Sequence, residues 1–109
     1  MEIEFKYKFS KNFIKFKLNE ENKEIWMDSC NIDYEHPKIF FILLRKAIDK
    51  FIEEGYSKFV QTILKEDWKE LKKENWNIKE NLPELPYIII ECDINNTLFN
   101  IAEGLGFDC

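Results

Sequence analysis

The residues with which this chain of 109 could do chemistry are one histidine, three cysteines and a scatter of carboxylates. Cys30 and His36 lie in one polar stretch, where a thiolate beside an imidazole base would make a nucleophilic pair. No third group is placed to orient the imidazole, and a histidine next to Pro37 is more simply a residue at a helix start. Asp28, Cys30, Asp33 and His36 offer metal-ligating atoms, but a single histidine with scattered cysteines is not zinc spacing, and no metal site is expected. Cys92, inside YIIIECD, reads as a small buried hydrophobe. The odd cysteine count gives no disulfide framework. The expected catalytic set is therefore empty.

Binding chemistry has better candidates. Lys6, Lys8, Lys15 and Lys17 would share one face of two adjacent strands and could hold phosphate, a nucleotide or an acidic protein. The plainer reading is a solvated face in which lysines guard a sheet edge. Phe5, Tyr7 and Phe9 alternate to the other side, so no base-stacking set accompanies the lysines. Trp68 and Trp76 either cover the core or anchor a partner. The acids Glu66, Asp67, Glu70 and Glu74 are interspersed with lysines and read as a solvated helix face.

The totals narrow the class. A hydrophobic fraction of 45% and an aromatic fraction of 16% suffice for one folded domain spanning 1–109. A formal net charge of −5 disfavours a general nucleic-acid binder. No apolar run approaches the roughly 18 residues of a membrane span, and the alternating N-terminus has no signal-peptide core. The expectation is a cytoplasmic protein. The excess of Lys, Ile, Asn, Glu and Phe fits an A/T-rich coding sequence, as in many phages and low-GC bacteria.

The elements that must position these residues follow from periodicity. Residues 2–9, 13–18 and 23–28 alternate and predict a three-stranded antiparallel meander. Phe40, Leu43, Leu44, Ala47, Ile48, Phe51 and Ile52 recur at helical spacing, after Pro37 and before the stop at Gly55. A strand at 57–64 follows, then a surface helix at about 66–75, a loop at 77–86 broken by Pro83 and Pro86, and a central strand at 87–93. Asn95 or Asn96 would cap a last helix that Gly104 ends. The fold class is α+β: a mixed sheet of about five strands, covered by a long helix and two shorter ones, in the order β-β-β-α-β-α-β-α. Strand order stays open. If the strands at 57–64 and 87–93 part, the gap between them is the place for a cofactor.

LLRKAIDKFIEEGYSKFVQTI resembles the main helix and following strand of the GCN5-related N-acetyltransferase (GNAT) fold, and NNTLFNIAEGLGF resembles that family's closing helix with its Leu-Gly-Phe end. The resemblance implies a truncated GNAT-like domain, with acetyl-CoA as cofactor if the chain is an enzyme and Asn95 as a cofactor-binding residue. The family's glycine-rich phosphate loop is matched by DYEHPKIFF, which has no glycine. Asp33 and Glu35 would repel phosphate there, and Pro37 removes a donor. The family's tyrosine acid falls at Ala102, or at about Leu71 if residues 66–76 are the true counterpart. The expected function is a small non-catalytic protein-binding or inhibitory module without a cofactor, of the kind a phage uses to modulate a host factor. The alternatives are a divergent acyl-CoA-dependent N-acyltransferase and a small-ligand or nucleotide binder using the lysine face.

Overall fold

Alternation at the N-terminus builds the meander. A computed structural model describes residues 1–8, 11–32, 38–71 and 73–104. β1 (Glu2–Lys6), β2 (Phe13–Asn19) and β3 (Glu24–Asn31) pair antiparallel in succession. β1 is shorter than its pattern predicts: Lys8 takes a φ of 49°, and the Tyr7 N–H closes the turn onto the Asn12 carbonyl. Phe9 of the predicted strand lies outside the described residues. β3 runs three residues past its predicted end at Asp28.

Helix α1 (Lys38–Glu53) buries Phe40, Leu43, Leu44, Ala47, Ile48 and Phe51 along the predicted stripe. Ile52 departs from it and stands exposed. Gly55, at a φ of 92°, ends the helix, and the Tyr56 N–H returns to the Phe51 carbonyl. A side chain is strained in that left-handed position, so glycine sets where the chain turns. β4 (Lys58–Leu64) then runs parallel to β3.

The predicted helix at 66–75 is mostly absent. α2 covers only Lys65–Trp68, and a 3₁₀ turn follows at Lys73–Asn75. Leu71 and Trp76 are both buried. Five helical steps would set them about 140° apart, and breaking the helix lets both reach the core. The predicted loop at 77–86 contains β5 (Asn77–Glu80), an edge strand with every residue exposed. β6 (Tyr87–Asp93) is central, and a 3₁₀ turn (Ile94–Asn96) leads into α3 (Thr97–Gly104). The Leu-Gly-Phe tail lies outside the described residues.

The sheet has six strands in the order β1-β2-β3-β4-β6-β5, and β3–β4 is its parallel pair. The count exceeds the predicted five because of β5. β4 and β6 are antiparallel neighbours from Lys58↔Asp93 to Leu64↔Tyr87, so they do not part as the cofactor expectation required. The core lies under α1, where Phe5, Phe16, Phe51 and Tyr56 meet edge to face at 5.3–6.0 Å between centroids. α3 packs beside α1, and Asn100 Nδ2 donates to the Asn75 carbonyl at 2.9 Å.

Candidate functional site

The sheet does open, one seam away from the one expected. β3 and β4 pair only at Glu24↔Lys58, Ile25↔Phe59 and Trp26↔Val60. Both strands continue beyond that point and separate. β2 offers a cause: Phe16 faces Met27 and Lys15 faces Ser29, which leaves Asp28 as the extra residue of a bulge in β3. A bulge bends its strand and adds twist. On the other side β6 holds β4 along its whole length. The result is a cleft of about 670 Å³ between Met27–Cys30 and Gln61–Leu64.

The lining mixes apolar walls with carboxylates. Ile63 and Leu71 are buried, Trp26 is half-buried and Tyr87 exposed. Asp28, Asp67 and Glu70 bring three acids against one cation, Lys17, and Asp28 already engages Lys17 at 3.4 Å. Neither Asp67 nor Glu70 has a cationic partner among the described residues. Gln61 also lines the cleft. It is 6% exposed, and its Oε1, itself closed off from solvent, has no hydrogen-bond partner among the described residues.

The closed end of the same seam is strapped. Lys79 reaches from β5 over β6 and β4 to β3, where its Nζ donates to Glu24 Oε2 and lies 3.7 Å from Glu91 Oε2. The ammonium stands 6.0 Å from the centre of the Trp26 ring, and the Trp26 indole N–H donates to Glu24 Oε1. Hydrogen bonding to the Glu24 carboxylate holds the Lys79 pKa above its ordinary value, against the lowering effect of burial.

The residues singled out in the sequence do not converge on this cleft. Of the lysine stripe Lys17 alone lines it, beside Asp28 and Cys30 of the metal-ligating candidates and Asp67 and Glu70 of the acid set. Lys15 pairs with Glu2 at 3.2 Å, which raises its pKa, and the β1–β2 register sets Glu4 opposite Lys15 and Glu2 opposite Lys17. Acids therefore interrupt the lysine stripe. Lys6 ends β1, and Lys8 lies over the ring of Tyr7 in the turn. Trp76 is buried with its ring against Phe59, so it presents no surface, and Trp68 is half-buried against the core. Asn95 sits at the far end of β6 from the cleft. The cap there is Asp93, whose Oδ1 accepts from both the backbone N–H and the side-chain Nδ2 of Asn95. Cys30 is disulfide-bonded, which corrects the expectation that the cysteines form no disulfide and removes the thiolate that a nucleophilic role requires; His36 lies outside the described residues. No group of three or more metal-ligating side chains forms among the described residues. No helix among them is long and apolar enough to cross a membrane.

Gln61, Tyr87 and Lys79 carry no functional signal in the sequence, and Asp67 and Glu70, expected as a solvated helix face, line the cleft instead. The one local signal was the Gln61-Thr62 pair, two polar residues between Phe59-Val60 and Ile63-Leu64.

No protein-family model and no curated protein matches the chain by sequence. Solved structures match it by fold. The ribosomal-protein-S18-alanine N-acetyltransferase from Escherichia coli superposes at a TM-score of 0.58 and 11% identity, covering 85% of this chain and 69% of its own. A PaiA N-acetyltransferase from Thermoplasma acidophilum, solved with coenzyme A, gives 0.55 at 16% identity over 75% of this chain and 52% of its own. An acetyltransferase of the GNAT family from Staphylococcus aureus gives 0.55 at 13% identity over 77% and 60%. The chain spans a little over half the length of the latter two. It has a GNAT-like α+β fold.

Proposed function

We propose that this chain is a non-catalytic binding module on a GNAT-like scaffold, and that it holds an ammonium group in the cleft between β3 and β4. The observation that carries the reading is the cleft's charge: Asp28, Asp67 and Glu70 face a single lysine that Asp28 already neutralises. Carboxylates without partners attract a cation, and an aromatic wall adds to that attraction. The ammonium belongs to a small amine or to a lysine side chain of a partner protein.

The same donor set does not fit acetyl-CoA, although the neighbouring folds are acetyltransferases and one was solved with coenzyme A. Its phosphates would meet acids at the cleft, with no unpaired cation among the described lining residues. No acyl-transfer step is assigned.

Calorimetric titration separates the possibilities. An n-alkylamine and a lysine-bearing peptide are titrated beside their N-acetylated forms. The free amines are expected to bind at least about tenfold more tightly than the acetylated ones, with affinity falling as salt rises. Tighter binding of the peptide than of the alkylamine points to a protein partner. Equal binding of acetylated and free forms defeats the ammonium reading, and acetylation of either amine by acetyl-CoA in the presence of the protein defeats the non-catalytic one.

A further inference from the structure

Among the described residues the sheet ends at β1 on one side and at β5 on the other. The two edges differ. β5 is blunted: it has four residues, its register breaks between Ile78 and Glu80, and Lys79 turns inward to Glu24. β1 keeps one register over all five of its residues. The Leu18 N–H donates to the Met1 carbonyl and the Tyr7 N–H to the Asn12 carbonyl, so the odd-numbered residues bond inward to β2. Bonded and non-bonded pairs alternate along an antiparallel ladder, which turns the N–H and C=O of Glu2, Glu4 and Lys6 outward. All three residues are exposed, and Lys6 has no acidic partner among the described residues. Ile3 and Phe5 lie on the α1 side and are only half-buried.

We infer that the open edge of β1 pairs antiparallel with β1 of a second copy of this chain, about a two-fold axis through Glu4. The strand EIEFK is self-complementary in that register. Glu2 faces Lys6 of the second copy and Lys6 faces its Glu2, both as hydrogen-bonded pairs, while Ile3 and Phe5 meet across the interface as the closer non-bonded pairs. About six main-chain hydrogen bonds form. The one like-charge contact is Glu4 with its own copy, and Lys15 stands opposite Glu4 within each chain. Moving the axis to Ile3 sets Glu2 against Glu4. Moving it to Phe5 shortens the ladder, because Lys8 has turned out of the strand at a φ of 49°. The pairing lies on the far side of β2 from the cleft and does not depend on what the cleft binds.

Sedimentation equilibrium in low salt, over about 1 µM to 1 mM protein, tests the pairing. An edge of five residues is small beside a standard interface. A reversible dimer is therefore expected with a dissociation constant of about 10–100 µM, weakening as salt rises. Lys6→Glu sets a carboxylate against Glu2 twice in each dimer and is expected to weaken it at least about tenfold. The double variant Glu2→Lys, Lys6→Glu exchanges the two charges and should restore the dimer to within about threefold. Glu4→Pro removes the outward N–H at the axis without touching the ladder to β2, and it should weaken the dimer by a similar factor even if a charge variant misfolds. A monomer throughout the range overturns the inference. So does a dimer that Lys6→Glu leaves unchanged, a loss that the double variant fails to restore, or growth beyond a dimer, since a two-fold pair closes.

Discussion

β4 has two neighbours and treats them differently. Toward β6 it pairs over all seven of its residues, in one unbroken antiparallel register. Toward β3 it pairs over three residues and then leaves. On its core face the closed seam pairs buried apolar residues: Phe59 faces Cys92 and Ile63 faces Ile88. Burial raises the Cys92 thiol above its usual pKa and keeps it protonated. The parted seam collects the polar groups: Asp28, Ser29, Gln61, Thr62, Asp67 and Glu70. The closed seam is stability, and the parted one is exposed polar surface held in a fixed shape. A sheet can open along one strand only if that strand is held firmly on its other side, and β6 supplies the hold.

Breaking the shared foundation of both seams has the largest effect. Phe59 is fully buried at the base of β4, opposite both Ile25 and Cys92 and against the Trp76 ring. Phe59→Ala is expected to cost about 3–5 kcal/mol in urea unfolding, and with it the ligand site. A cost below about 1 kcal/mol would mean that the two seams do not share this base.

A smaller effect tests the strap across the closed end of the β3–β4 seam. Lys79→Met leaves the Glu24 carboxylate buried and unpaired. A fully buried pair would lose about 3–5 kcal/mol, and the partial exposure of Lys79 reduces the expected loss to about 2 kcal/mol at neutral pH. The double variant Glu24→Gln, Lys79→Met is expected to recover most of it. The pH dependence fixes the sign. The folded pKa of Lys79 is raised, so its contribution is complete below the ordinary lysine value of 10.5 and fades as pH climbs through the folded value. The stability gap between wild type and Lys79→Met should therefore be flat at neutral pH and close under strongly alkaline conditions. A gap that persists unchanged there would assign the effect to packing on Trp26 instead.

These contrasts also mark what the sequence could disclose. α1 and β6 were legible because burial imposed a pattern on them: a helical stripe in one, a continuous apolar run in the other. β5 was not, because all four of its residues face water and so carry no pattern, and Pro83 and Pro86 beside it read as a loop. The Glu24–Lys79 strap joins residues 55 positions apart and is a fact of strand order alone. The GNAT-like likeness was readable in the helix-Gly-strand unit, yet the cleft that gives the unit meaning depends on where one strand stops pairing. The lysine stripe misled for a related reason. Alternation places Lys15 and Lys17 on one face correctly, but the register that brings Glu2 and Glu4 opposite them is settled by the turn between β1 and β2.

The smallest effect has the opposite sign, which makes it the sharpest test of the comparison. A buried residue on the closed seam should lose stability when trimmed: Ile88→Val is expected to cost about 1 kcal/mol. Gln61 is as buried as Phe59 and Ile63 on its face of the strand, but it lies where the seam parts and its Oε1 has no donor among the described residues. The folded protein carries the desolvation of that oxygen as an unrecovered cost. Gln61→Leu removes the oxygen and fills nearly the same volume with apolar atoms, so the free protein should gain about 1 kcal/mol. Chemical unfolding of the unliganded variant measures it. A loss comparable to that of Ile88→Val would make Gln61 an ordinary core residue and erase the distinction between the two sides of β4. A gain places a stability cost on one named atom, at the point where β4 leaves β3.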